Sequence, residues 1–158
     1  MSNFLKKKKI LLVITGGIAS YKALDVIRRL QENQSEIECI LTESAKEFVN
    51  IITFESLLGK KVYSNLFSLS EEKEMNHIKL ANEVDVILVI PSTANFIAKM
   101  ANGIADDLAS NIILASKKTK IVAPAMNTNM WNNNAVKNNL KTLEKVNVKI
   151  FSPKKGVL

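Results

Sequence analysis

The sequence predicts an α/β protein, a three-layer α/β/α sandwich in which helices cover both faces of a parallel sheet. Short apolar runs of strand length alternate along the chain with segments whose apolar residues recur at helical spacing. The runs at Lys9–Thr15 and Asp85–Ile90 are almost continuously apolar, which is typical of strands buried on both faces. Repeated strand–helix–strand units close through right-handed crossovers, so neighbouring strands are expected to run parallel.

Each predicted strand is a short apolar run that ends at small or polar residues. The first lies between a lysine cluster and two glycines, and the most apolar one ends at Pro91. Glycine and proline interrupt regular structure and so mark these ends. The predicted strands are Lys9–Thr15, Ser35–Thr42, Asp85–Ile90, Lys120–Ala123 and Val148–Phe151.

The predicted helices are identified by apolar spacing. In the first, an apolar residue recurs at every third position from Tyr21 to Leu30. One or two helices are expected in the second helical region, with Thr53 as a candidate cap. The helical regions are Ile18–Gln31, Ser44–Gly59, His77–Glu83, Asn95–Ser116 with a break near Asn102-Gly103, and Ala135–Val146.

Length and composition indicate a single domain over residues 1–158. Of the 158 residues 47% are hydrophobic, and no run of about 18 apolar residues suggests a membrane span. The lysine-rich N-terminus leads into an apolar run without a cleavage site, so we interpret it as a strand rather than a signal peptide. The single cysteine, Cys39, cannot form an internal disulfide, which fits a reducing, cytoplasmic compartment.

The charge and the small number of metal-binding side chains limit the kinds of binding partner that are expected. The net charge of +7 leaves both solubility and attraction of phosphorylated small molecules open. Basic residues are scattered and aromatic residues do not interleave with them, so we expect no nucleic-acid partner. One histidine and one cysteine cannot form a zinc site, and no metal is expected.

The segments after the strands are the informative ones, because ligands of open α/β sheets bind outside the carboxyl ends of the strands. TGGIAS, after the first strand, is either a phosphate-binding turn or a plain one. It matches neither GxGxxG nor GxxxxGK[ST], so neither NAD nor ATP is indicated. Thr42 and Ser44 follow the second strand as helix caps or ligand contacts. PSTANF and APAMNTNMW follow the next two.

His77 is the only histidine, and its position in the sequence allows two interpretations. A lone histidine in a short polar helix is usually a surface residue. However, its predicted helix leads into the most apolar strand, which would bring His77 to the same crevice as an acid, a base or a hydrogen-bond donor.

In combination, GGIAS, HIKL, PSTANF, ANGIADDL and PAMNTNMW make the chain similar to the flavin-dependent cysteine decarboxylases. Among these it most resembles the phosphopantothenoylcysteine decarboxylases of coenzyme A biosynthesis. The family's P-x-M-N-x-x-M-W segment is complete as Pro124, Met126, Asn127, Met130 and Trp131. The resemblance runs from about Lys8 to Leu158 and implies a Rossmann-like, flavodoxin-like sheet.

The resemblance also implies a cofactor, an assembly and roles for residues. FMN would bind at the strand ends of a homotrimer or a higher multiple, a dodecamer in a bifunctional protein. His77 matches the active-site histidine, and Asn127 matches the asparagine that grips the substrate carboxylate, with Met130 close by. The flavin would be lined by Gly17, Ile18, Ala19, Ser20, Thr42, Ser44, Thr93, Ala94, Asn95, Phe96 and Ala125.

The implied substrate is a small phosphorylated cysteine conjugate. The resemblance implies two-electron oxidation of its cysteine end by FMN to a thioaldehyde, which can accept the electrons released when carbon dioxide leaves. The resulting ene-thiol would then be protonated and reduced by the flavin, which gives phosphopantetheine and restores oxidised FMN. The neutral amide of Asn127 can bind the carboxylate without stabilising it as a lysine would. Met126, Met130 and Trp131 would keep the site dry, although Trp131 would equally serve to anchor the next helix.

Two departures from the family pattern stand out. Phe96 occupies the position where PASANT-like segments usually have threonine. The family's catalytic cysteine falls just after the point where this chain ends, so we expect a fragment of a longer protein. The alternatives are a peptidyl-cysteine decarboxylase and a non-catalytic FMN-binding regulatory subunit. A flavin prenyltransferase would not be expected to carry the PxMNxxMW segment, and a nicotinamide-binding domain is disfavoured by the missing GxGxxG.

Overall fold

The sheet is parallel throughout and has five strands in the order β2-β1-β3-β4-β5. The computed structural model describes residues 6–64 and 79–153. Apolar runs form the middle three strands, and β1 is fully buried from its second residue onward. The strands are β1 (Lys9–Ile14), β2 (Glu36–Leu41), β3 (Val86–Ser92), β4 (Thr119–Pro124) and β5 (Lys149–Ile150).

Helices connect the strands and cover both faces of the sheet. A 3₁₀ turn, Ile18–Lys22, leads directly into the first helix, and residues 79–83 are helical before β3. None of the helices in the described ranges is long and apolar enough to cross a bilayer. The helices are α1 (Ala23–Glu32), α2 (Glu43–Lys46), α3 (Ile51–Leu58), α4 (Ala94–Asn102), α5 (Leu108–Ala115), α6 (Thr128–Asn132) and α7 (Asn134–Lys145).

Two apolar cores, one on each face, form the three layers. Ile10, Leu12 and Ile14 of β1 contribute to the core beneath α1 and α3. Leu11 and Val13 point to the other face and join the core beneath α4, α5 and α7. This alternation follows the two-residue period of a strand. The predicted three-layer, flavodoxin-like α/β/α fold is confirmed.

Three differences from the predicted elements bear on the site or on a predicted cap. β3 continues through Pro91 to Ser92 instead of ending at Ile90. The prediction that Thr53 caps a helix is wrong, because the cap of α3 is Asn50, whose side chain accepts a hydrogen bond from the amide of Ile52. Helix α6 was not predicted, since five residues are too short for a visible apolar period.

The amino edge of the sheet is held by charged and hydroxyl groups. Lys9 lies 3.4 Å from a carboxylate oxygen of Glu83, and its backbone N–H donates to Asp85. The hydroxyl of Ser116, which is 5% exposed, donates to the carbonyl oxygen of Ala81 and accepts from the amide of Lys118. The first contact joins the start of β1 to the segment before β3, and the second joins that segment to the one before β4, so the starts of three neighbouring strands are held together.

Candidate functional site

Four turns meet at the carboxyl edge of the sheet. They follow β2, β1, β3 and β4, which are neighbours in that order. Because all strands are parallel, the turns lie side by side at one edge. They contain most of the residues predicted to form the site, so the fold brings distant segments of the chain together.

The turn after β1 is held by its own serine. The hydroxyl of Ser20 lies 2.8 Å from the carbonyl oxygen of Thr15 and 2.6 Å from that of Gly17, and it accepts from the amide of Gly17. The amide of Ser20 also donates to Gly17. Ser20 is 0% exposed, so its polar groups serve the turn, although it was predicted to line the cofactor. The amides of Ile18 and Ala19 precede the first donor within the 3₁₀ turn and so have no acceptor within it.

The turn after β2 packs directly against Gly16. A Cβ atom on Gly16 would lie 2.5 Å from the carbonyl carbon and oxygen of Ser44, so only glycine permits this approach. Thr42 caps α2, since its hydroxyl accepts from the amide of Ala45. The Thr42 and Ser44 hydroxyls lie 3.1 Å apart. Thr42 is therefore a helix cap, whereas Ser44 is exposed at the edge of the sheet.

The turn after β3 is joined to β1 by Thr15. The Thr15 hydroxyl donates to the carbonyl oxygen of Pro91 at 2.8 Å and accepts from the amide of Thr93 at 3.0 Å. Thr15 was not among the predicted site residues. A threonine before two glycines offers no sequence signal for this role, which depends on a residue 78 positions away.

The same turn starts α4. The hydroxyl of Thr93 accepts from the amide of Phe96 and so caps the helix. The backbone amides of Ala94 and Asn95, between Thr93 and Phe96, fall in the first turn of the helix and have no acceptor within the helix. The side chain of Phe96 is 3% exposed and packs in the core. Only the backbone of Phe96 therefore faces the edge, which explains how an aromatic residue fits in place of the family's threonine.

The turn after β4 contains Asn127, whose side chain caps a helix. The amide of Ala125 donates to the carbonyl oxygen of Ser92, joining the turn to β3. The side-chain oxygen of Asn127 accepts from the backbone N–H of Met130 at 2.9 Å and caps α6. Because the oxygen faces the helix, the side-chain nitrogen of Asn127 faces away from it. Asn127 is exposed, and Met130 is 42% exposed.

The rest of the PxMNxxMW segment packs inward. Met126 and Trp131 are partly buried against the core beneath α7. The structure therefore supports the packing interpretation of Trp131, whose ring holds α6 against the body of the protein.

Other predicted features lie elsewhere. His77 falls outside the described residues. No group of three potential metal ligands occurs within residues 6–64 and 79–153. Cys39 is buried in β2, and burial together with the charge of Glu38 raises the pKa of its thiol to about 12. Cys39 is thus protonated and inert rather than part of the site.

The donor set fits an anionic ligand with many hydrogen-bond acceptors. Backbone amides open two helical segments at one edge, at Ile18–Lys22 and at α4. Gly17 is extended, and a Cβ atom there would meet nothing closer than Thr93 at 3.8 Å. Small side chains at Ala94 and Ala125 continue this open edge.

These features define the class: an α/β protein whose ligand site is formed by the strand-end turns of a parallel sheet. The chain belongs to the Flavoprotein family, whose family model matches residues 1–158. Membership of this family makes a flavin its cofactor.

Curated relatives cover nearly all of this chain. The chain is 41% identical over 152 residues to the coenzyme A biosynthesis bifunctional protein CoaBC of Vibrio vulnificus, covering 96% of this chain and 38% of that protein. It is 37% identical to the probable phosphopantothenoylcysteine decarboxylase of Streptococcus mutans, of which it covers 86%. The chain thus spans about two fifths of the length of the bifunctional relatives.

Solved structures share the fold closely. The chain superposes with a TM-score of 0.88 on the FMN-dependent cysteine decarboxylase SpaF, at 28% identity, covering 96% of this chain and 87% of the other. It is also similar to a mutant of PPC decarboxylase complexed with pantothenoylaminoethenethiol, with a TM-score of 0.79, 29% identity and coverage of 95% and 84%.

Proposed function

We propose that this chain catalyses the FMN-dependent decarboxylation of phosphopantothenoylcysteine to phosphopantetheine, as a carboxy-lyase of coenzyme A biosynthesis. The observation that carries the proposal is that Asn127 caps α6 through its side-chain oxygen, which leaves its amide nitrogen facing away from α6 at the carboxyl edge of the sheet. The names of the curated relatives supply the substrate class. The single-domain organisation over residues 1–158 and a cytoplasmic location are part of this proposal.

The strand-end turns would hold FMN. The amides of Ile18 and Ala19, and those of Ala94 and Asn95, are the donors suited to its phosphate and polar edge. Gly17, Ser20, Thr42, Ser44, Thr93, Phe96 and Ala125 complete the proposed lining, although the Ser20 hydroxyl is bonded within its turn and the Phe96 side chain packs in the core. When bound, FMN supplies the two-electron redox chemistry that the side chains of the chain lack.

Asn127 would bind the substrate carboxylate through its side-chain N–H groups. A neutral donor holds the carboxylate in place but does not stabilise its charge as strongly as a cation would, so less stabilisation is lost when carbon dioxide leaves. Met130, on the first turn of α6, is 42% exposed beside Asn127 and would exclude water from the bound group.

His77 is proposed as the active-site acid or base on the resemblance of its HIKL segment. His77→Asn is then expected to leave folding intact and lower decarboxylation by about 10²–10⁴-fold. Carbon dioxide release is the measurement. A variant that decarboxylates at the parent rate would remove His77 from the mechanism and leave the flavin site untouched.

The test of the whole proposal begins with the absorption spectrum of the purified protein, followed by mass identification of the released chromophore. FMN is expected. Carbon dioxide release is then compared between phosphopantothenoylcysteine and a peptide with C-terminal cysteine. A protein that stays colourless after incubation with FMN refutes the proposal.

A peptidyl-cysteine decarboxylase is the second candidate. The peptidyl-cysteine decarboxylase EpiD has a TM-score of 0.79 and 30% identity, which are close to the values for the PPC decarboxylase structure. The structural similarity to the two kinds of decarboxylase is thus equal, and the substrate assay distinguishes between them. Release of carbon dioxide from the peptide alone would favour this candidate over the first.

A homotrimer, or a higher multiple of one, is proposed as the assembly. Ile18 and Tyr21 are 76% and 55% exposed, and both lie in the turn that borders the candidate site. Large apolar side chains beside a binding site are suited to contact with another subunit.

A further inference from the structure

Thr15 contacts two turns of the candidate site at once. Its hydroxyl bonds to the carbonyl oxygen of Pro91, near the end of β3, and to the amide of Thr93, directly after it. Its own carbonyl oxygen accepts from the Ser20 hydroxyl in the turn after β1. Thr15 is 1% exposed, so it is enclosed by these partners.

The Thr15 hydroxyl has no donor left for a ligand. A hydroxyl carries one proton, and that of Thr15 is directed at Pro91. Since the side chain is also buried, any influence of Thr15 on a bound molecule must pass through the residues that it holds.

The residue that Thr15 holds most directly is the cap of α4. With its amide fixed by Thr15, Thr93 uses its own hydroxyl to cap the helix at Phe96. The intervening amides of Ala94 and Asn95 therefore take an orientation set from β1. In the turn after β1, the backbone carbonyl oxygen of Thr15 accepts a hydrogen bond from the Ser20 hydroxyl. Ser20 in turn closes the turn that contains Ile18 and Ala19.

We propose that Thr15 is a positioning residue for the flavin: its hydroxyl fixes the separation of the two groups of amides, after β1 and at the start of α4, that hold the cofactor. The inference rests on the proposed function. A ligand that engages both groups binds fully only when their spacing matches it, and supporting hydrogen bonds of this kind set such spacing.

The experiment is a titration of the apo protein with FMN, followed by flavin fluorescence. Thr15→Val keeps the shape of the side chain but removes both hydroxyl bonds, and we expect FMN affinity to fall by about tenfold, as for loss of a typical hydrogen bond or two. Thr15→Ser keeps the hydroxyl and is expected to retain the parent affinity.

Ser116→Ala is the matched control. The Ser116 hydroxyl also donates to a carbonyl oxygen and accepts from an amide, but at the amino edge of the sheet. Its removal is expected to lower thermal stability comparably to Thr15→Val while leaving FMN affinity unchanged. The contrast separates positioning from a general loosening of the fold.

Three results would overturn the inference while FMN binding by the parent still stands. These are a parent-like affinity in Thr15→Val, a loss of affinity in Thr15→Ser, and an equal loss in Ser116→Ala. If Thr15→Val does not fold, Thr15→Ala removes the same hydroxyl without an apolar methyl in its place and is judged by the same criteria. Failure of the parent to bind FMN would instead refute the proposed function.

Discussion

At the scale of the residue, Gly16 lies where the backbone of another turn leaves no room for a side chain. The clash that a Cβ atom would make is with backbone atoms of Ser44, which cannot rotate away as a side chain could. Gly16→Ala is therefore expected to destabilise the protein by about 1–3 kcal/mol, the usual range for overpacking. Urea denaturation of the apo protein measures this.

Gly17→Ala is the matched control for Gly16→Ala. Gly17 has an extended backbone, with φ of −179°, and the nearest atom to a new Cβ would be 3.8 Å away. The free energy of unfolding should change by less than about 0.5 kcal/mol. Equal destabilisation by both substitutions would contradict the close approach of Gly16 to Ser44.

Cys39 gives a pH-dependent prediction. Burial raises the pKa of its thiol from 9.0 to about 12, so between these values the unfolded chain releases a proton that the folded chain keeps. The contribution of Cys39 to stability is complete below about pH 9 and falls as the pH rises towards 12. Urea midpoints measured across this range should decline more steeply for the parent than for Cys39→Ala. Parallel curves would show that the thiol is not held protonated.

At the scale of the element, α6 combines a structural role and a proposed binding role in one side chain. Aspartate caps helices as well as asparagine does, but it cannot donate N–H groups to a carboxylate. Asn127→Asp is therefore expected to keep the stability of the apo protein and abolish decarboxylation, because two carboxylates repel each other. Thermal denaturation and carbon dioxide release measure the two effects.

Asn127→Ala is the companion to Asn127→Asp. It removes the capping oxygen, which accepts a hydrogen bond from the backbone N–H of Met130. The substitution should cost about 1 kcal/mol of stability in addition to activity. Full activity in Asn127→Asp would contradict the proposed role of the amide.

The elements also show which parts of the structure could be predicted from the sequence. The central strands were predictable because burial on both faces leaves a continuous apolar run, as in β1. Helix α6 was not, since its start depends on one side-chain cap at Asn127 rather than on periodicity. The meeting of four turns at one edge was predictable, because each turn follows a strand of a parallel sheet. The internal use of the Ser20 hydroxyl and the bridging by Thr15 were not, because both depend on how turns meet in space.

At the scale of the whole molecule, the proposed homotrimer gives a prediction about solution mass. Ile18 and Tyr21 leave apolar surface beside the candidate site, and burying it between subunits is favourable by about 25 cal/mol per Å². Sedimentation of the flavin-loaded protein is expected to give the mass of a trimer or a multiple. Ile18→Lys should shift it towards smaller species. A stable flavin-loaded monomer in the parent would contradict the proposal.

The hydroxyl bonds within the strand-end turns have a consequence for the energetics of ligand entry. Thr15, Ser20 and Thr93 are bonded to the chain itself, with no ligand needed to complete them. Binding therefore does not have to bear the conformational entropy of ordering these loops, which commonly reduces affinity. A binding site that is already ordered admits its ligand without rearrangement. Substitutions in these turns are therefore expected to change the lifetime of the complex rather than the rate at which it forms.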